Sequence, residues 1–383
     1  MATPDTHSKT ALGALGAAPF AMSFLLAPLV WVAAYWGGWT VFLLPIAMWY
    51  GFSVLDRVLG VNLGNADPDA DGAQLFWHKA IVVVWPIVQF ATLFALLWYV
   101  PRAEHLGTAE RIGVFMGMGA LTGTIGINYS HELMHQKSAL ERWLADILLA
   151  MVLYSHFRSE HLRVHHLYVG TPRDPVTARF NESFYRFYPR VLWGCLRSAF
   201  LAERQLLARR GLHWTSPRNP FWRYWGLQAA MLWLAWALGG WPGVGLFALQ
   251  ASVAVWQLEL VNYVEHYGLT RKHLGDGKYE HVRPHHSWNA AQKASNWLLI
   301  NLQRHSDHHY KPERRFPLLQ NYTAKEAPQL PFGYPVMTVV AMIPQLWRKW
   351  MNPRVRQWRA QYYPDISDWA AYNKMATPMP GRV

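Results

Sequence analysis

Cysteine is nearly absent: Cys195 is the only one in 383 residues. A disulfide within the chain is therefore excluded, as is an iron–sulfur cluster held by four protein thiolates. No GxGxxG turn follows a strand and no phosphate loop is present, which leaves nucleotide cofactors without a cradle. Acidic residues are scarce as well, 23 against 36 Lys and Arg, for a formal charge of +13. Repeats and Pro/Ser/Gly linkers are missing, so residues 1–383 read as a single domain. The first apolar run begins too far into the chain, and without a small-residue cleavage site, to be a signal peptide; it reads as a retained helix.

Long apolar runs are what the chain has in quantity. About 20 such residues cross a bilayer core as a helix, and candidates lie at 16–36, 40–58, 79–100, 110–129, 222–240 and 243–264. The mean hydropathy of −0.02 is then an average over greasy spans and an Arg-rich remainder. Six spans make three hairpins, an all-α membrane bundle with polar segments at 130–221 and 265–383. Of the 36 basic residues, 13 fall in 129–222 and 17 in 267–383, against only Arg102 and Arg111 in the loop between the third and fourth spans. Basic residues stay with cytoplasmic loops, so both polar segments and both termini are expected on the cytoplasmic side of a bacterial-type inner membrane. An even number of spans agrees. The 22 Trp fit interfacial belts, the stretch at 333–347 is too short to span, and the chain from Trp350 reads as a peripheral tail.

Three histidine clusters share that side: His131 and His135; His161, His165 and His166; and His305, His308 and His309. Spacings of three or four put rings on one helical face, and imidazole binds iron, zinc, copper or nickel. His266, where the sixth run leaves the membrane, is either a helix-end residue or a ninth ligand. Isolated clusters can be surface patches; three on one side of a membrane protein favour metal. His131-Glu132-Leu133-Met134-His135 also matches the zinc-protease HExxH, but such a site needs one further ligand and would leave most of the histidines idle. The surplus argues for two ions, with nine nitrogens divided into unequal shells of four and five.

HELMH at 131–135, EHLRVHH at 160–166, NYVEHYGL at 262–269 and LQRHSDHH at 302–309 resemble the motifs of the integral-membrane alkane 1-monooxygenases, within the membrane desaturase and hydroxylase superfamily. The likeness runs from the second span to about residue 350, departing at Gln136 and Val164, neither of them a ligand position. It implies a six-helix bundle with a cytoplasmic cap and two non-haem iron ions held by His131, His135, His161, His165, His166, His266, His305, His308 and His309. It further implies O₂-dependent hydroxylation of the terminal methyl group of a linear alkane, with electrons from an acidic rubredoxin-type carrier and its reductase; no nucleic acid is involved. The chemistry is coherent, since a terminal C–H bond has no acidic proton and no leaving group, and only oxidation can start the reaction. A fatty-acyl desaturase or hydroxylase using the same clusters, or a membrane zinc protease, is the alternative.

Around the ligands, Asp307 and Asp174 are the first candidates to orient an imidazole, with Glu132, Glu160, Glu265 and Glu280 also near motifs. His281, His285 and His286 stay outside the shell as structural residues. Arg158, Arg163, Arg314 and Arg315 lie near the clusters and are candidates for docking the carrier. Gly113, Gly117, Gly119, Gly123 and Gly126 form a small-residue stripe that lets helices pack closely, with a widened alkane cleft as the alternative. Trp49, roughly 12 Å above the cytoplasmic edge near Arg57 at 1.5 Å per residue, would gate substrate length if its indole faces the channel; facing lipid, it would be an anchor.

Overall fold

Glycine and charge end the first apolar runs. The computed structural model describes residues 11–374, and in it four runs become α1 (Gly13–Trp36), α2 (Gly38–Leu59), α3 (Gly72–Arg102) and α4 (Thr108–Met134), each somewhat longer than its apolar core. α1 stops at Gly37 (φ 62°) and α2 at Gly60 (φ 71°), conformations that a Cβ disfavours. α4 begins where the Glu110 carboxylate accepts from the Gly107 N–H at 2.6 Å, an anion at the positive end of the helix.

Shorter helices follow: α5 (Ala139–Ala150), α6 (157–168, with a π-helical turn at His161–His165) and α7 (Phe184–Ala208). α8, Pro220–His266, has 47 residues, and a straight helix of that length would run roughly 70 Å at 1.5 Å per residue, over twice the bilayer core of about 30 Å. It is not straight. Gly240 has φ 60° and ψ −157°, and a Cβ on Gly243 would lie 2.6 Å from the Ala235 carbonyl oxygen, although residues eight apart in a continuous helix are about 12 Å apart. The chain bends sharply back at Gly240. Among the described residues, five helices are thus long and apolar enough to cross a membrane, the fifth being this bent one.

The remainder is made of shorter elements. A two-stranded antiparallel hairpin pairs His273 with Tyr279 and Gly275 with Lys278; beyond it come α9 (Lys293–Leu298), α10 (His305–Tyr310), α11 (Tyr334–Ala341), α12 (Pro344–Tyr362) and α13 (Ala370–Lys374). The short apolar stretch packs inward, burying Tyr334, Met337, Val340 and Ala341. The expected peripheral tail from Trp350 is corrected: α12 buries Trp347, Met351, Val355 and Trp358. Those positions recur at helical spacing, and the arginines of the opposite face hide the stripe from a reading by composition. One hydrophobic cluster runs from Phe20 to Tyr363. The chain termini, expected on the cytoplasmic side, lie outside the described residues.

The small-residue stripe of α4 is a packing surface. A Cβ on Gly119 would meet the Gln250 carbonyl oxygen and Val253 Cβ at 2.6 Å, and one on Gly123 the Ala254 Cα at 2.8 Å, all on α8. Gly117 is different, its nearest such contact being a Leu44 methyl at 3.8 Å. Gly119→Ala should therefore destabilise the detergent-solubilised protein by about 1–3 kcal/mol through overpacking. Gly117→Ala should be neutral or stabilising by up to about 1 kcal/mol, from helix propensity. Thermal unfolding of both variants checks the contrast.

Candidate metal centre

Among the described residues, the nitrogens of the nine histidines expected as ligands converge in two groups, and Glu280, His285 and His286 form a separate third one. His131, His135, His161, His166 and His308 form one, and His165, His266, His305 and His309 the other, with the donor atoms of each group within 4.8 Å of one another. In the first, Nε2 of His161 lies 3.1 Å from that of His135 and 3.0 Å from that of His166, and Nε2 of His308 lies 3.1 Å from that of His166. In the second, Nε2 of His305 is 3.2 Å from His266 and 3.0 Å from His309. Ligands at about 2.1 Å and right angles on one ion stand roughly 3 Å apart, so these spacings suit a shared metal. Burial and neighbouring imidazoles hold His161, His166, His305, His308 and His309 well below the usual imidazole range, and burial takes His135 to about 3. Neutral imidazole is the form that binds metal.

Helix geometry decides which ring joins which group. His131 and His135 are one α-turn apart at the end of α4, and so are His305 and His309 on α10; His308, three residues on from His305, joins the other group. His161 and His166 are five apart, and the π-helical turn at His161–His165 brings such residues together where an α-turn would not. His165 then points to the second group, and His266 ends α8.

Beside both groups lies a narrow cavity of about 80 Å³. His131 and His161 from one group and His305 from the other reach its wall, as do Trp49, Met48, Phe157 and Tyr334. The lining is mostly carbon. Gly123 borders it too, so the glycine stripe both packs helices and leaves room at this level.

The fatty acid desaturase family matches residues 109–341, a stretch that contains all nine histidines. The chain is 37% identical over 326 residues to alkane 1-monooxygenase of Pseudomonas putida, spanning 84% of this chain and 80% of that one. It is 38% identical over 331 residues to alkane 1-monooxygenase 1 of Pseudomonas aeruginosa, spanning 85% of each. The chain belongs to the alkane 1-monooxygenase family. A more distant relative, the xylene/toluene monooxygenase hydroxylase component XylM of Pseudomonas putida, is 27% identical over 336 residues, 86% of this chain and 87% of that one.

Within this family member the carboxylates divide by role. Asp174 accepts from Nδ1 of His165 at 3.0 Å, from the Thr177 hydroxyl at 2.6 Å and from the Val176 N–H at 3.0 Å, which leaves Nε2 of His165 for an ion. Asp307 holds no imidazole; it takes Arg314, the Tyr322 hydroxyl and the Gln320 N–H, so it anchors the following loop. Glu132 accepts from the Phe316 N–H and from Gln136. Glu160 is fully buried without a partner, and burial beside Asp174 and Glu259 holds its carboxyl well above the usual range. His285, His286 and Glu280 gather around the Tyr363 hydroxyl. The Arg283 N–H donates to Nδ1 of His286, which leaves the proton on Nε2 facing Tyr363; that set is a hydrogen-bonded clasp for α12.

Among the basic candidates, Arg158 pairs with Asp146, Arg314 with Asp307, and Arg315 with Glu141 and Glu132. These three are spent on internal ion pairs. Arg163 alone of the four is exposed. Trp49 stands on the cavity wall, a position that sequence position alone left open. Of the other lining residues, Phe157, Thr338 and Tyr334 carry no motif and were not foreseen; only folding brings them together.

Asp174→Asn should lower metal affinity at the second group by roughly 10- to 100-fold, as loss of an orienting carboxylate does elsewhere, while Asp307→Asn should leave it unchanged. Competition with a chelator of known affinity separates the two.

Proposed function

We propose that the chain hydroxylates the terminal methyl group of medium-length linear alkanes with O₂, at two non-haem iron ions held by the nine histidines, drawing electrons from an acidic rubredoxin-type carrier with its reductase. The observation that carries this reading is the apolar cavity whose wall includes ligands from both histidine groups, so that one chain end reaches both ions. The two arms of α8, bent back at Gly240, are read as separate spans, making six, and the whole chain as one domain. The histidine groups and the cap face the cytoplasm, where the basic residues concentrate, in a bacterial-type inner membrane.

The residues divide the work. Bound iron supplies the redox chemistry with O₂ that an unactivated C–H bond demands. The imidazoles, neutral and buried, hold the ions without competing protons, and Asp174 fixes the ring of His165. The mostly apolar walls limit water, and an alkane has no polar group to bind, so shape presents the methyl end. The balance of the reaction, alkane with O₂, two electrons and two protons giving alcohol and water, requires an electron donor, and a single cysteine cannot hold a thiolate cluster to supply them. Exposed basic charge such as Arg163 suits an acidic carrier, whose encounter rate then depends on salt.

The zinc-protease reading fares worse. Catalytic zinc keeps three protein ligands and an open position, whereas five imidazoles surround the first site and Glu132 is committed to Phe316 and Gln136.

Purified protein should carry about two iron ions per chain by elemental analysis; one tightly held zinc and no iron would refute the assignment. His166→Ala and His309→Ala, one from each group, should each abolish 1-octanol formation while the protein still inserts in the membrane.

Trp49→Ser should raise turnover of hexadecane relative to octane in competition, because the indole stands on the cavity wall. An unchanged product ratio would remove Trp49 as the gate.

A further inference from the structure

We propose that the arginine-lined hollow between α7 and the loop at 172–177 binds the phosphate of an anionic phospholipid from the membrane surface. The hydroxylation reading enters only through its two spans of α8. The hollow measures about 310 Å³, with Arg173, Arg179, Arg190 and Arg197 on its wall. Arg190 is occupied by Glu182 and by the carbonyls of Pro175 and Thr177, and Asp174, also on the wall, by His165, Thr177 and Val176. Arg173 has only the Tyr168 ring beside it, 5.4 Å from its guanidinium, and the side chains of Arg179 and Arg197 have no partner among the described residues.

Three guanidinium groups on one hollow, none with a carboxylate of its own, repel one another, and an anion with several acceptor oxygens relieves that repulsion. Phosphate is such an anion, and its oxygens match the planar fork of arginine. The two walls are held close together. A Cβ on Gly194 of α7 would meet the Pro175 Cβ at 2.6 Å, so the loop that carries Arg173 rests directly on the helix that carries Arg197.

The source of the phosphate follows from where α7 lies. Near its start Phe184 and Tyr188 pack on Trp256, with ring centres 4.7 and 4.8 Å apart, and further along Phe200 packs on Phe221 at 5.2 Å. Trp256 lies 16 residues past the bend at Gly240 and Phe221 19 before it, hence roughly 24 and 29 Å from the bend at 1.5 Å per residue, against a bilayer core of about 30 Å. α7 therefore crosses from one arm of α8 to the other at the membrane surface. Its outward face is apolar, with Tyr185, Trp193 and Leu196 at 53%, 68% and 39% exposure, as suits a helix lying in the interface. Arg197 stands one turn from Trp193, which puts the cationic hollow at the edge of that apolar strip. A phospholipid offers an anionic head to the arginines and acyl chains to Trp193 and Leu196; free phosphate offers only the first.

Native mass spectrometry of the full chain in a neutral detergent, titrated with dioleoyl phosphatidylglycerol, dioleoyl phosphatidylcholine or inorganic phosphate, tests the site independently of turnover. Wild type should bind one phosphatidylglycerol more tightly than it binds the zwitterionic lipid or the free ion. Arg173→Gln and Arg197→Gln should each weaken that binding by about fivefold, the attraction that one basic residue contributes near an anionic surface. Trp193→Ala should weaken binding of the lipid and leave that of inorganic phosphate as it is, and Arg163→Gln, outside the hollow, should change neither. Equal binding of phosphatidylglycerol by wild type and the Arg173→Gln/Arg197→Gln double variant, or of the two lipids by wild type, would overturn the proposal. Inorganic phosphate bound as tightly as the lipid would give the hollow to a free anion, and arginine variants that keep the lipid but lose the response to an acidic electron carrier would give it to a protein; either outcome overturns the lipid assignment. A chain that stays dispersed without detergent would instead count against the two spans of α8.

Discussion

Imidazole nitrogens held 3.0 to 3.2 Å apart in the interior cannot all be satisfied by one another's single N–H, since His161 and His166 each meet two neighbours in one chain, and water has little access to them. Such an arrangement persists when a cation takes the place of the missing protons, and much of the surrounding structure serves to hold the rings in position. Asp174 fixes the ring of His165. Arg304, next to His305, donates to the carbonyl oxygens of Leu319, Asn62 and Gly64 and to Asn65, tying the base of α10 to two loops. Trp288 donates to the Glu265 and Tyr267 carbonyls and pins the end of α8, where His266 sits.

Convergence of segments so distant in sequence needs helices that approach closely at membrane depth. Gly119 and Gly123 permit it, since a side chain at either would collide with α8. Lipid gives apolar side chains no reason to prefer protein over membrane, so close backbone contact and polar contacts such as the Thr124 hydroxyl donating to Gln257 carry the association. The contact that stabilises the bundle also shapes the site, because Gly123 and Gln257 both border the cavity.

On the proposed reading, selectivity for a saturated chain would follow from what the cavity withholds. An alkane offers neither charge nor hydrogen bond, so its position is set by the length and width of a carbon-lined space, and by the residues that narrow it. Trp49 is large and half-buried within a π-helical turn at Ile46–Gly51, where the altered periodicity changes which side chains face inward. The same device recurs at His161–His165 and at Thr122–Ile127, so three segments bordering the site depart from regular α-helix.

The sequence by itself determined the first four membrane helices, the histidine clusters and the family, because apolar run length and the spacing of ligating side chains are local properties written in consecutive residues. It also located the reversal between 240 and 243, where Gly240 and Pro242 break the helix. Only the tertiary structure decided how the rings divide, since the pairing of His161 with His166 depends on a π-helical turn that no spacing rule announces. It decided equally that Asp174 and not Asp307 holds an imidazole, that Arg158, Arg314 and Arg315 are spent on internal ion pairs, and that α12 belongs to the core. Hydrogen bonds and ion pairs are made between residues far apart in the chain, and which carboxylate meets which partner is fixed by the packing of the helices that carry them.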